Sequence, residues 1–280
     1  MNDDTLQYTR VFLLFVAIAG LFLFYNVVGV LLGLGVAAVT ALAQILGILV
    51  GALVYQKHFA KRDVQFFDFS RFGMPFLGLV LVLTTSVFLG LSANLMGGLI
   101  TELVPPLQEQ AADYQEQIRS LLLEGPLYSQ ILAALSVAVI APIAEEVFFR
   151  GTLLAEQRRV QTVAGAVFLN GILFSAMHLN PVAFVPLAIV GAYFAHLTLR
   201  ANSIWPAVLG HAALNLVNGV ILLRLADHYD VAMAEPEAVE ITALVGGLAI
   251  LLPLSIIGWW ISIRILREHN PTPDKAQSSN

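Results

Sequence analysis

"ILAALSVAVIAPIAEEVFFRG", residues 131–151, decides how the chain folds. An apolar run interrupted only by Ser136 and Pro142 leads straight into Glu145, Glu146 and Arg150. A helix crossing a bilayer core of about 30 Å needs roughly 20 apolar residues, so this run spans only if it carries those charges into the membrane. Carboxylates removed from water are costly unless paired or hydrogen-bonded. Charges at such depth therefore mark a site.

The rest of the chain agrees with a membrane setting. Of 280 residues, 58% are hydrophobic and only 12% charged, far too little polar surface for a soluble domain of this length. The composition predicts an all-α, polytopic helix bundle in the lipid bilayer. The net charge of −5 argues against a nucleic-acid partner. With no cysteine, disulfides, thiolate nucleophiles and Cys-ligated metals are excluded. The start, MNDDTLQYTR, is acidic where a signal peptide is basic, and the apolar run continues far past Ala17-Ile18-Ala19; an uncleaved first span is expected.

About eight transmembrane helices are predicted. Two lie within 11–55, parting near 29–35, and a third covers 76–99. The fourth begins near Ile131, followed by 163–179, 182–199, 204–225 and 241–266. Basic residues follow alternate spans: Lys57, Lys61, Arg62 and Arg71, then Arg158 and Arg159, Arg200, and finally Arg264, Arg267 and Lys275. The opposite loops are acidic, with Glu102, Glu109, Asp113, Glu116 and Glu124 before span four and Asp227, Asp230, Glu235, Glu237 and Glu240 before span eight; Arg119 and Arg224 break the pattern. The positive-inside rule then puts both termini in the cytoplasm. No repeat or linker appears, so residues 1–267 form one domain, with 268–280 as a disordered cytoplasmic tail. Compact loops favour a prokaryotic cell membrane. The segment 64–76, mixing aromatics with Asp68 and Arg71, suits the membrane interface or an anchored polar loop; 105–125 reads as an amphipathic helix on the outer face.

Three spans carry strongly polar groups in apolar surroundings. Glu146 and Arg150, Phe174 and His178, and His211 and Asn215 are each four residues apart, so each pair shares one helix face. Asn218 extends the His211 stripe. If spans four and five form a hairpin turning near Gln161, Glu145 and His178 lie at similar depth and face one another. His211 reaches that depth only if 155–161 protrudes as a helical hairpin on the cytoplasmic side.

Such a constellation suits hydrolysis of an amide bond. A carboxylate in a partly desolvated pocket is a useful general base, with Arg150 the nearest counter-charge for the paired glutamates. An imidazole can share a water, and an asparagine amide can hold an oxyanion. No serine sits in a nucleophile setting, so water is the expected attacking group. The alternative is a zinc held by Glu145, His178 and His211, with an open position for water.

"EEVFFR" (145–150), "FSAMH" (174–178) and "HAALN" (211–215) fit the patterns EExxxR, FxxxH and HxxxN, in order and on separate spans. Together they resemble the signature of the CAAX protease and bacteriocin-processing (CPBP, or Abi) family of intramembrane proteases, which includes the Ras-converting prenyl-protein endopeptidases. The resemblance covers about residues 140–218. It implies that Glu145 and His178 activate the water, that Glu146 and Arg150 complete the acidic motif, and that His211 and Asn215 position the water or hold the oxyanion. It implies a membrane-associated substrate, either a prenylated CAAX protein or a leader peptide, and leaves metallo- and glutamate-type chemistry both open.

Plainer roles fit the remaining polar groups. Asn26, Gln44, Asn94 and Asn170 are expected to hydrogen-bond between helices. His196 suits the interface, while His58, His228 and His269 suit solvent. Glu156, Arg158 and Arg159 read as cytoplasmic topology charges. Two rival functions remain: a silent immunity or peptide-binding protein, and a proton-coupled transporter, for which repeated halves with broken helices are not found.

Overall fold

The computed structural model describes residues 3–60, 64–228 and 241–270. Among these the chain is helical, with no strand. The helices are α1 (Asp3–Leu31), α2 (Val36–His58), α3 (Phe76–Leu103), α4 (Gln108–Leu123), α5 (Leu127–Gln157), α6 (Val163–Met177), α7 (Phe184–Ala201), α8 (Trp205–His228) and α9 (Ile241–His269). Seven are long and apolar enough to cross a membrane. The fifth expected span, 163–179, is α6, which has 15 residues, about 22 Å at 1.5 Å per residue, and falls short of the hydrocarbon thickness. Both its ends are fixed locally. Thr162 caps the start by accepting the Gly165 N–H at 3.1 Å. The end is set where Leu179 turns left-handed at φ 50°.

Helix α5 is the centre of the bundle, packing against α2, α7, α8 and both flanking helices. It owes its shape to Pro142. Proline has no N–H and crowds the preceding turn. The chain meets this with a π-helical turn over Ser136–Ile140, in which Ala141 N–H reaches back five residues to Ser136 O. In that register Val137 O would pair with residue 142, which has nothing to donate. Asn215 of α8 supplies the missing donor, its Nδ2 lying 2.9 Å from Val137 O.

Helices α6 and α7 approach closely through paired glycines, as small residues allow in membranes. A Cβ on Gly171 would lie 2.4 Å from Ala188 O, and one on Gly191 would lie 2.9 Å from Gly171 Cα. On the other side of the site, α1 and α2 meet in the same way at Gly47, whose Cβ would lie 2.8 Å from Phe22 Cα.

Side chains tie the helix ends into two faces. On one, Tyr8 Oη donates to Val160 O, Arg10 to Phe59 O, Ser203 Oγ to Arg71 O, and Asn270 Nδ2 to Gly73 O. This gathers the start of α1 and α8 with the ends of α2, α5 and α9. The segment 64–75 lies here, non-helical, held also by Ile204 N–H to Asp68 O and Trp205 Nε1–H to Phe69 O. On the opposite face Arg119 pairs with Asp227 at 2.9 Å, and Arg224 donates to Leu122 O. That pairing explains the two basic residues that break the charge pattern.

Three expectations need amendment. The last turns of α5 do not stand free: Leu154, Ala155, Glu156 and Gln157 are all buried. Glu156 is therefore no solvated topology charge; it accepts from Tyr55 Oη at 2.8 Å. Residues 268 and 269 continue α9, while the tail from 271 lies outside the described residues. Lys61, Arg62, Asp230, Glu235, Glu237, Glu240 and Lys275 lie outside them too.

Candidate active site

Glu145 and Glu146 are adjacent in sequence but have separate partners. Glu146 is fully buried, and its Oε1 accepts two charge-assisted hydrogen bonds. One comes from Arg150 Nη1 at 2.9 Å, one turn along α5. The other joins it to His211 Nδ1 of α8 at 2.8 Å. Arg150, likewise with no exposed surface, also donates through Nη2 to Gly191 O at 3.0 Å. Its guanidinium lies 4.5 Å from the centre of the Phe174 ring. Planar delocalised charge is suited to this combination of ion pair, carbonyl and aromatic face.

The consequence falls on His211. With Nδ1–H committed to Glu146, Nε2 is the ring nitrogen left to face Glu145, the logic of a carboxylate-oriented histidine. That Nε2 lies 4.0 Å from Glu145 Oε2. A water about 2.8 Å from each atom spans such a gap. Glu145 Oε2 is buried without a hydrogen-bond partner, so it retains its accepting capacity. Its other oxygen, Oε1, accepts from Gln44 Nε2 of α2 at 3.0 Å.

His178 stands apart from this pair. It caps the end of α6, half-buried, with Nδ1–H donating to Phe174 O at 2.9 Å. Phe174 lies between the imidazoles, its ring centre 4.9 Å from that of His178 and 5.7 Å from that of His211. Glu145 therefore pairs with His211, not with the expected His178. The height estimate treated α6 as a full span; the helix instead ends just before His178, and its own Phe174 carbonyl fixes the ring. Asn215 is half-buried, one amide hydrogen engaged by Val137 O. The other remains available.

The expected zinc donors are not gathered at one point. Among the described residues no three His, Cys, Asp or Glu side chains lie close enough together to hold a metal.

Two features surround the site. Tyr114 of α4 keeps 44% of its surface accessible, yet burial and then the charge of Glu145 push its hydroxyl above the ordinary tyrosine value. Along α3, α5 and α8 runs an apolar groove of about 590 Å³ whose lining includes Leu83, Ile131, Leu135, Val139, Ala212 and Leu216. Ala212 follows His211 directly, so the groove reaches the level of the imidazole.

Gln44 was read from sequence as an interhelical hydrogen bond, and it is one; nothing in the sequence said that its partner is Glu145. Asn170 behaves as expected, donating to Phe149 O and Gln157 Oε1, both at 2.9 Å. Asn218 bonds Leu214 O and Val87 O and serves packing. Asn26, expected to bond between helices, donates to Phe22 O of its own helix at 2.8 Å.

Residues 127–217 match the family described as type II CAAX prenyl endopeptidase Rce1-like. No curated protein and no solved structure matches the chain.

Proposed function

We propose, from the match of residues 127–217 to the type II CAAX prenyl endopeptidase Rce1-like family, that the chain is an intramembrane endopeptidase in which Glu145 and His211 share the hydrolytic water. The observation that carries this reading is the 4.0 Å separation of Glu145 Oε2 and His211 Nε2, with both residues buried and both oriented from behind.

The reaction consumes one water. Glu145 Oε2 takes a proton as the water oxygen attacks the scissile carbonyl carbon. His211 Nε2 accepts from the same water and fixes its orientation, while Glu146 and Arg150 hold the ring. The remaining amide hydrogen of Asn215 is assigned in this reading to the developing oxyanion. When the C–N bond breaks, the proton held by Glu145 passes to the leaving nitrogen, giving a carboxylic acid and an amine; the acid's remaining proton then passes to the amine through solvent, leaving a carboxylate and an ammonium. No step is routed through a metal, because the donor set is not assembled.

The substrate in this reading is a membrane-associated protein or peptide of the CAAX type. The apolar groove of about 590 Å³ has the size of ordinary ligand pockets and would receive its prenyl chain. Charges favour a cytoplasmic location for both termini, since Lys57, Arg71, Arg158, Arg159, Arg200, Arg264 and Arg267 follow alternate spans in the sequence. A prokaryotic cell membrane fits the compact loops.

The test is cleavage by the purified protein of a library of internally quenched peptides, S-farnesylated CAAX-ended and unmodified, with and without chelator. Cleavage of the farnesylated members supports the reading in full. Cleavage confined to unmodified members moves the substrate to leader-type peptides. Binding without any cleavage supports a silent peptide-binding protein, and solute flux in liposomes a transporter.

A further inference from the structure

We infer that Gln44 is a positioning residue of the hydrolytic site, its amide N–H holding one oxygen of Glu145 so that the other faces His211. The inference rests on the hydrolytic reading of Glu145 given above. It concerns a residue on α2, well outside the segment 127–217 that carries the family match.

Three observations support it. The Gln44 Nε2–Glu145 Oε1 hydrogen bond is 3.0 Å long and buried, and joins α2 to α5. It leaves Glu145 Oε2 as the oxygen nearest His211 Nε2, at 4.0 Å. A carboxylate free to turn about its last bond would present either oxygen; anchoring one selects the other. Second, Gln44 is only 7% exposed, and its Oε1 is buried with no hydrogen-bond partner. A leucine or methionine would fill the same space without stranding a carbonyl. The amide is thus retained for what its N–H does. Third, the backbone beneath Gln44 is held firmly. It lies in a π-helical stretch, Ala43–Val50, of the kind often found at functional sites. One turn later Gly47 brings α2 against α1.

The test compares kcat, KM and thermal stability of wild type, Gln44→Met, Glu145→Gln and the double variant on the best-cleaved member of the peptide library. Gln44→Met keeps the volume and removes the donor. Positioning predicts that kcat falls about tenfold or more while KM and the melting temperature stay near wild type. It also predicts that Gln44→Met causes no further loss once Glu145→Gln is present. If Gln44→Met fails to insert, Gln44→Leu decides, because it removes the donor without adding a charge or a new hydrogen-bonding group; kcat must fall there too. Wild-type kcat in the decisive variant, or an equal loss with and without Glu145, overturns the inference. Activity surviving Glu145→Gln defeats the hydrolytic reading instead, so the two failures are distinct.

Discussion

His211 and Glu146, from two different helices, are joined by a 2.8 Å hydrogen bond at a point where the glutamate has no exposed surface. The bond fixes which imidazole nitrogen can face Glu145. Everything around it serves that orientation: Arg150 neutralises the glutamate, Gly191 O anchors Arg150, and Phe174 and Phe194 pack against the imidazole.

Replacing Glu146 therefore acts through His211. Glu146→Gln keeps the shape but weakens the charge-assisted bond that selects the tautomer. Turnover is expected to fall by about 10²–10⁴-fold. KM should change little, which steady-state kinetics on a cleaved peptide will check; an unchanged kcat means that His211 needs no such partner.

Arg150 has a structural share as well. Arg150→Met leaves Glu146 as a buried, uncompensated carboxylate, costing about 3–5 kcal/mol. Arg150→Lys rescues poorly, because a point charge cannot bridge Glu146 and Gly191 O as the planar fork does. Thermal unfolding in detergent should show Arg150→Met recovering part of its loss when combined with Glu146→Gln.

Asn215 and Pro142 should be coupled. Asn215→Leu strands Val137 O, at about 1–3 kcal/mol. Pro142→Ala restores a backbone N–H that can reach that carbonyl, so Asn215→Leu should cost measurably less stability in the Pro142→Ala background. A double-mutant cycle of melting temperatures reads the difference. Any loss of kcat beyond the stability effect reports the free amide hydrogen acting on substrate.

Helix approach is testable at Gly171. A side chain there meets Ala188 O, forcing α6 and α7 apart and moving Phe174 and the Gly191 carbonyl together. Gly171→Val should lower stability by about 1–3 kcal/mol, as overpacking does. Activity should fall with it, whereas Gly246→Ala, with open space around it, should leave both unchanged.

Much of this was legible in the sequence. The lengths of the apolar runs located the seven long helices but counted α6 as a full span, and the spacing of Glu146 with Arg150 put on one helix face two residues that form an ion pair. Two features were harder. The hydrogen bond from Gln44 joins residues far apart in sequence, and no local pattern encodes which buried amide meets which carboxylate. The exchange of His178 for His211 beside Glu145 arose because α6 stops one residue before His178. A period of 3.6 residues reads the face of a helix but says little about where the helix ends. Pro142 did carry a usable signal: a proline within a span announces an unpaired carbonyl in the preceding turn, and an amide-bearing neighbour to satisfy it.

The most direct measurement is single-turnover cleavage by purified, correctly inserted Glu145→Gln protein, with chelated wild type alongside. The account predicts that the variant binds peptide with near-normal affinity and cleaves it at least about 10³-fold more slowly, while chelation leaves the wild-type rate unchanged. Wild-type cleavage by Glu145→Gln would contradict the account, because the proton of the attacking water would then be going elsewhere.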